Sequence, residues 1–488
     1  MTARPMVRPA DASAGRPVSW FECTGCGLRV PPGEPVPLRC PAASTGDDVD
    51  HVLARRLDPA RVSFPRGGEA NPFVRYRTLF HAWHAARALG WSDADYVAMV
   101  ERLDAAVAAV DGRGFRITPF FRAAELSDRL GFSAAGGVWV KDETGNVSGS
   151  HKARHLLGTL LELEAGEAVR RAGGRATAAP ARLAVASCGN AALAAAVVAR
   201  AAGRSLDVFI PPDADPAVVA RLRALGARLT VCERRPGVGG DPTYNRLLEA
   251  LDAGAIAFSC QGNLNGLAVE GGETLGWEMA VGLARAGVQL DRLIVQVGGG
   301  ALAAACAAGL DEARALGRPV GRGRFHAVQT RGAHPLERAF RRLADHVAAG
   351  ATPADALAYA ADHRSEFMWP WEEEPHSVAH GILDDETYDW FAVAKAMFET
   401  DGSPIVVDED TLAEANDLAR STTSIDVDPT GSAGLAGLLH LVRTGTVDPA
   451  ETVGVLFTGV RRSGQDPPPS RSPAGDGRSA SPSKEKQQ

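Results

Sequence analysis

The chain is 488 residues long, 45% hydrophobic and 23% charged, which fits a globular protein of more than one lobe and excludes wholesale disorder or a fibrous repeat. Its 52 Lys and Arg against 59 Asp and Glu leave a formal net charge of −7, so there is no basic excess to neutralise a phosphate backbone and no nucleic-acid partner is expected. No apolar run approaches the length of a membrane span, and the first twenty residues lack the apolar stretch of a secretory signal, so no membrane partner is expected and the localisation expected is cytoplasmic.

In chain order, residues 1–20 read as disordered. Residues 21–68 open with Phe21-Glu22-Cys23-Thr24-Gly25-Cys26-Gly27 and continue through Arg39-Cys40-Pro41, the pattern of a zinc-ribbon knuckle followed by a Pro/Gly-rich linker. A structural zinc needs four ligands. Cys23, Cys26 and Cys40 supply three, and the fourth is open between His51 and one of Asp47, Asp48 or Asp50; the rival reading is a knuckle that has lost its metal. The remaining four of the seven cysteines are scattered, which excludes a disulfide scaffold.

From residue 69 onward short apolar runs read as strands at 138–141, 183–186, 206–210, 229–232, 293–297, 326–329 and 453–457. Between many of them lie Ala/Leu-rich helical stretches, at 153–164, 191–202, 216–226 and 302–315. Uninterrupted apolar strands interleaved with helices predict an α/β fold with doubly wound parallel sheets, and the number of strands favours two sheets over one. The segment 465–488, rich in Pro, Ser and Lys/Arg, is expected to be disordered.

Open parallel sheets bind ligands at strand-to-helix turns, and three such turns stand out. The first is Val140-Lys141-Asp142-Glu143-Thr144-Gly145-Asn146-Val147-Ser148-Gly149-Ser150-His151-Lys152-Ala153-Arg154, which places Lys152 in the first turn of a helix. That is an unfavourable place for a cation and favours the neutral amine that Schiff-base chemistry requires; the plain alternative is a solvated lysine. The second, Ala186-Ser187-Cys188-Gly189-Asn190, offers N–H groups and side chains to an anion or carboxylate, or simply caps its helix. The third, Val297-Gly298-Gly299-Gly300-Ala301-Leu302, carries three glycines whose conformational cost needs a reason, and close backbone approach to a phosphate is one.

In this order the three loops resemble those of the fold-type II pyridoxal-phosphate enzymes, and the resemblance runs from about Asn71 to Gly464. Several segments are similar to threonine synthase and its relatives: Asn71-Pro72-Phe73-Val74-Arg75-Tyr76-Arg77, Ile117-Thr118-Pro119, Gly149-Ser150-His151-Lys152-Ala153-Arg154, Glu270-Gly271-Gly272-Glu273-Thr274 and Asp428-Pro429-Thr430-Gly431-Ser432-Ala433. The cysteine knuckle also resembles an element many of them carry. The resemblance implies a large cofactor-binding domain over 69–146 and 264–464, a small mobile domain over 147–263, and a homodimer.

It also implies site residues. Lys152 would carry pyridoxal 5′-phosphate as a Schiff base, Asn190 would bond the pyridoxal 3′ oxygen, and Gly298, Gly299, Gly300, Ala301 and Leu302 would hold the phosphate. Thr458 would face the pyridine nitrogen as a neutral hydroxyl, which goes with elimination and replacement rather than transamination. Ser187, Cys188, Gly189 and Asn190 would receive the substrate, with His151 as a further candidate and Arg154, by its charge alone, as a candidate partner for a substrate phosphate. The implied activity is β/γ elimination–replacement on a small, phosphorylated amino acid; the alternatives are a deaminating lyase of the serine/threonine dehydratase kind and a silent cofactor-binding or interaction protein. Three features depart from the pattern: His151 before the lysine, as in tryptophan synthase β; Cys188 where a Ser or Thr is usual; and Thr458-Gly459-Val460-Arg461-Arg462 in place of Thr-Gly-His-Gly-Leu-Lys. The aromatic, acidic and His-rich stretch 369–382 reads equally as pocket wall or surface loop.

Overall fold

The computed structural model describes residues 17–30, 37–44, 46–172, 180–234 and 240–462. The terminal segments expected to be disordered lie outside these residues, apart from 17–20. There Ser19 and Trp20 belong to a strand, because β1 (Ser19–Cys23) pairs antiparallel with β2 (Leu53–Leu57). β2 also shows that part of the Pro/Gly-rich stretch within 21–68 is strand.

Two larger sheets follow. The first contains β3 (Phe120–Arg122), β4 (Gly137–Asp142), β9 (Arg292–Gln296), β10 (Arg324–Thr330), β11 (Pro404–Val407) and β12 (Thr452–Phe457), in the order β11-β10-β9-β12-β4-β3. All its pairings are parallel except β3 with β4. The second contains β5 (Leu183–Ala186), β6 (Leu206–Ile210), β7 (Arg228–Val231) and β8 (Ile256–Ala257), all parallel, in the order β7-β6-β5-β8. Every residue of β9 and β12 is buried, because helices cover both faces of a parallel sheet.

Small residues set how closely those helices pack. The lysine helix (Lys152–Ala172) crosses the Leu267–Ala286 helix at a glycine pair, where a methyl on Gly158 would lie 2.6 Å from Gly271 Cα. Gly276 likewise brings the Leu267–Ala286 helix against the Ala301–Ala315 helix, since a methyl there would lie 2.7 Å from Leu310 N. Substituting either glycine would force the helices apart. Among the described residues no helix is long and apolar enough to cross a membrane.

This topology brings the C-terminal ends of β4, β5, β9 and β12 to the four turns that hold the candidate residues, the arrangement expected of ligand sites in open α/β sheets.

Candidate active site

The lysine loop is shaped locally and then stitched to its neighbour. Asp142 Oδ1 accepts from Thr144 N at 2.9 Å and from Thr144 Oγ1 at 2.7 Å, turning the chain as it leaves β4. Ser148 adopts φ 59°, held by its N–H donating to Asp111 Oδ2 at 2.8 Å. Gly149 is also left-handed (φ 69°), and a methyl there would meet Val460 Cγ1 at 2.5 Å. His151 N donates to Thr458 O at 3.1 Å and Val460 N to Gly149 O at 2.9 Å. The start of the lysine helix and the exit of β12 therefore move as one piece.

Lys152 opens its helix half-buried, and its Nζ makes no hydrogen bond or ion pair among the described residues. The two histidines beside it are neutral: burial, then the Lys152 charge, hold His151 well below the usual histidine range and push His155 down to about 3. His151 Nδ1 lies 3.3 Å from Thr458 O and His155 Nδ1 lies 2.7 Å from Ala268 O.

Arg154 lies elsewhere than expected. Its guanidinium is fully buried, with Nε on Glu143 Oε2 at 2.7 Å, Nη1 on Glu278 Oε1 at 2.6 Å and Nη1 on Thr274 Oγ1 at 3.0 Å. Lys141 completes the cluster, pairing with Glu278 and donating to Thr118 O at 2.9 Å. Burial pushes the Glu278 carboxyl up, but Arg154 and Lys141 outweigh it and hold Glu278 below its usual value. A cation so enclosed has no donor left for a substrate, so its candidacy as a phosphate partner is corrected to a brace beneath the loop.

The glycine loop leaves β9 at the N-terminus of the Ala301–Ala315 helix, with Gly300 as cap at φ 98°. At Gly298 a methyl would lie 2.9 Å from Ile382 Cα, so the 380s stretch presses directly on the loop. Asp384 from that stretch accepts from the Gly299 N–H; burial pushes it up to about 6, against the pull of Lys152. Asp389 N donates to Gly299 O at 2.8 Å, and Asp389 Oδ2 accepts from Gly262 N at 3.1 Å. Trp369, nearer the start of the stretch left open between pocket wall and surface loop, instead stacks on Arg338 at 3.6 Å from ring centroid to guanidinium.

At the β5 turn, Ser187 Oγ folds back to accept from Gly189 N at 3.3 Å, and Cys188 stands exposed. Partial enclosure and then the Asp213, Asp241 and Asp215 carboxylates push the Cys188 thiol up, so it is a neutral group at the rim. Asn190 Oδ1 accepts from Arg462 Nη2 at 2.9 Å, and its side chain also bonds Asp428, which burial pushes up to about 7. Thr458 Oγ1 accepts from Gln296 Nε2 at 2.9 Å, which leaves the hydroxyl proton available for donation. Gln296, Arg462 and Asp384 are functional candidates that sequence reasoning missed. At the N-terminus, Cys23, Cys26, Cys40 and His51 come together with one ligand atom each inside 4.8 Å, and the three aspartates weighed for that position are not in the group.

A pyridoxal-phosphate group fits these residues. The glycine loop offers N–H groups at a helix N-terminus, and it lies so close to the 382–389 stretch that a side chain at 298 or 300 would press on it. Buried polar atoms without partners, Ser150 Oγ, Ser259 Oγ, Gln261 Oε1 and Asn263 Oδ1, sit on the lysine loop and on the segment after β8, which reaches Lys152 through Cys260. The loops at four strand ends thus define a lysine-based cofactor site on an α/β scaffold. The family model described as "Pyridoxal-phosphate dependent enzyme" matches residues 113–459, and the chain belongs to that family. It is 25% identical over 371 residues to a threonine synthase of Methanosarcina acetivorans and 23% identical over 366 residues to one of Methanocaldococcus jannaschii; each match covers 70% of this chain and 74% of the relative. Among solved structures, a T.th. threonine deaminase aligns at a TM-score of 0.52 and 22% identity, covering 74% of this chain and 98% of that one. Maize serine racemase aligns at 0.51 and 17%, covering 74% and 92%. These two likenesses establish the shared fold.

Proposed function

We propose that this protein is a lyase that performs β- or γ-elimination with replacement on a small phosphorylated amino acid, of the O-phosphohomoserine type. The observation that carries the reading is the state of Lys152: an amine with no partner among the described residues, at a helix start fastened to Thr458. The likeness to two threonine synthases supports the choice of reaction.

Bound pyridoxal phosphate supplies an electron sink that acidifies the α C–H of an attached amino acid. Lys152 Nζ would hold the cofactor, and its amine would take the proton from the substrate α-carbon and return one later. The N–H groups of Gly299, Gly300, Ala301 and Leu302 would hold the cofactor phosphate. Thr458 Oγ1, fixed by Gln296, would donate to the pyridine nitrogen, and Asn190, fixed by Arg462 and Asp428, would bond the ring oxygen. The Ser187–Asn190 turn receives the substrate carboxylate. His151 and His155 are neutral and so add no charge beside Lys152.

The substrate phosphate needs a cation other than Arg154. A hollow of about 180 Å³ beside the lysine loop is lined by Asp111, Arg113, Ser148, Arg221 and Arg462, and Arg462 already touches Asn190. Arg221→Ala is expected to raise KM for the phosphorylated substrate roughly tenfold. The deciding assay is product analysis. Inorganic phosphate and a replacement product from O-phosphohomoserine support the reading. Ammonia and a keto acid from free serine or threonine would make it a deaminating lyase, and cofactor binding without a spectral response to any amino acid would make it a silent relative.

A further inference from the structure

The ribbon at the N-terminus takes no part in the chemistry above, yet its four metal-ligating side chains converge. We propose that Cys23, Cys26, Cys40 and His51 bind one zinc ion, and that the ion pins the ribbon to the body behind the glycine loop. The site stands independently of the role assigned to Lys152.

The spacing of the ligand atoms carries the proposal. A tetrahedral zinc with Zn–S of about 2.3 Å and Zn–N of about 2.05 Å sets S···S near about 3.8 Å and S···N near about 3.6 Å. Cys26 Sγ and Cys40 Sγ are 3.7 Å apart, and Cys23 Sγ lies 3.5 Å from His51 Nδ1. A disulfide would need its sulfurs at about 2.05 Å; these are set apart by the width of an ion.

The surroundings are those a zinc site needs. His51 presents Nδ1 to the sulfurs, and its other ring nitrogen, Nε2, lies 3.4 Å from Asp47 Oδ2. That carboxylate is itself fixed by Ser44 N at 2.7 Å and Ser44 Oγ at 2.8 Å. A carboxylate on the far nitrogen sets the tautomer and raises the basicity of a ligating histidine. Gly27 closes the knuckle with φ 71° and its N–H on Cys23 O at 3.0 Å.

The residue before the histidine gives the ion its structural consequence. Asp50 is buried in the body, its Oδ1 accepting from Trp390 Nε1 at 3.2 Å and facing Arg364 Nε at 3.2 Å, while its N–H donates to Ala361 O at 2.8 Å. Trp390 follows Asp389, whose N–H holds Gly299 O. A continuous path therefore runs from His51 through Asp50, Trp390 and Asp389 to the glycine loop.

The test is elemental analysis of the purified full-length protein, followed by replacement of the metal with cobalt. We expect about one zinc per chain, and visible d–d bands with near-ultraviolet thiolate charge-transfer bands in the cobalt form. His51→Ala should lose the metal, and His51→Cys, which restores a fourth ligand, should keep it. If the Ala variant fails to fold, the wild-type metal content and cobalt spectrum still decide the matter. Zinc below a tenth of an equivalent with no cobalt bands, or a Cys26–Cys40 disulfide in the purified protein, would overturn the proposal.

Discussion

Two lysines eleven positions apart, at either end of the same loop, meet opposite fates. Lys141, near the end of β4, is fully buried and is shared between Glu278 and Thr118. Lys152 opens the next helix with its Nζ uncommitted among the described residues. The first is held by charges it cannot leave, because removing one member of a buried ion cluster strands the others in a low dielectric. The second is left available, and the cluster below, which includes Arg154 two residues along the same helix, keeps its backbone in place. A rigid, fully paired layer under a reactive, unpaired one is what preorganisation of a site requires.

Lys152→Ala should lower turnover roughly a thousandfold or more and leave the melting temperature nearly unchanged. A variant that unfolds while wild-type activity persists in the folded fraction would invert the roles. Lys141→Met should do the reverse, keeping the cofactor absorbance but costing about 3–5 kcal/mol of stability in chemical denaturation, since Glu278 and Glu143 lose a partner.

Glu162, two turns further along the lysine helix, sharpens the point because it is a buried charge without a cation. Burial pushes it up to about 7, and its Oε2 has no hydrogen-bond partner among the described residues. The folded state therefore binds the proton more tightly than the unfolded chain. Stability from this group is fully present below its unfolded value near 4.5 and is lost as pH rises through about 7. Glu162→Gln should remove that dependence and gain on the order of 2–3 kcal/mol relative to wild type at pH 8 compared with pH 4.5. Equal wild-type and variant slopes in denaturant titrations at several pH values would contradict it.

The smallest effect concerns Asp384. Its carboxyl titrates at about 6 while bonded to the Gly299 N–H, so above that pH its charge competes with a phosphate for the same donor. Cofactor affinity should fall as pH rises through about 6, and Asp384→Asn should flatten the profile and tighten binding about threefold at pH 8. Fluorescence titration of the apoprotein measures this directly.

Much of this was legible in the sequence, for physical reasons that differ from place to place. The seven strands expected at the start all exist within two residues of their limits: six are largely buried and so largely apolar, while the seventh, β7, is an exposed edge strand. Five strands went unseen: β8 has two residues, β3 three, β11 begins with Pro404, and β1 and β2 carry Glu22, Arg55 and Arg56 in place of an apolar run. The glycine, lysine and Ser-x-Gly-Asn turns were readable since their chemistry is local. Arg154 was misread because its partner Glu278 lies 124 residues away, and no local pattern distinguishes a buried arginine from a ligand-facing one. Gln296 looked like one more strand residue, although a glutamine inside an apolar run just before three glycines was the available signal. The acids at 384–386 gave no sign of which glycine they would touch.

The central assignment is that Lys152 holds the cofactor. Borohydride reduction of the cofactor-loaded protein, then proteolysis and mass mapping, tests it most directly. A phosphopyridoxyl mass on the peptide containing Lys152, absent from the same digest without reduction, is the expected result. The same label on a peptide carrying Lys141 or Lys395, with the Lys152 peptide unmodified, would contradict it.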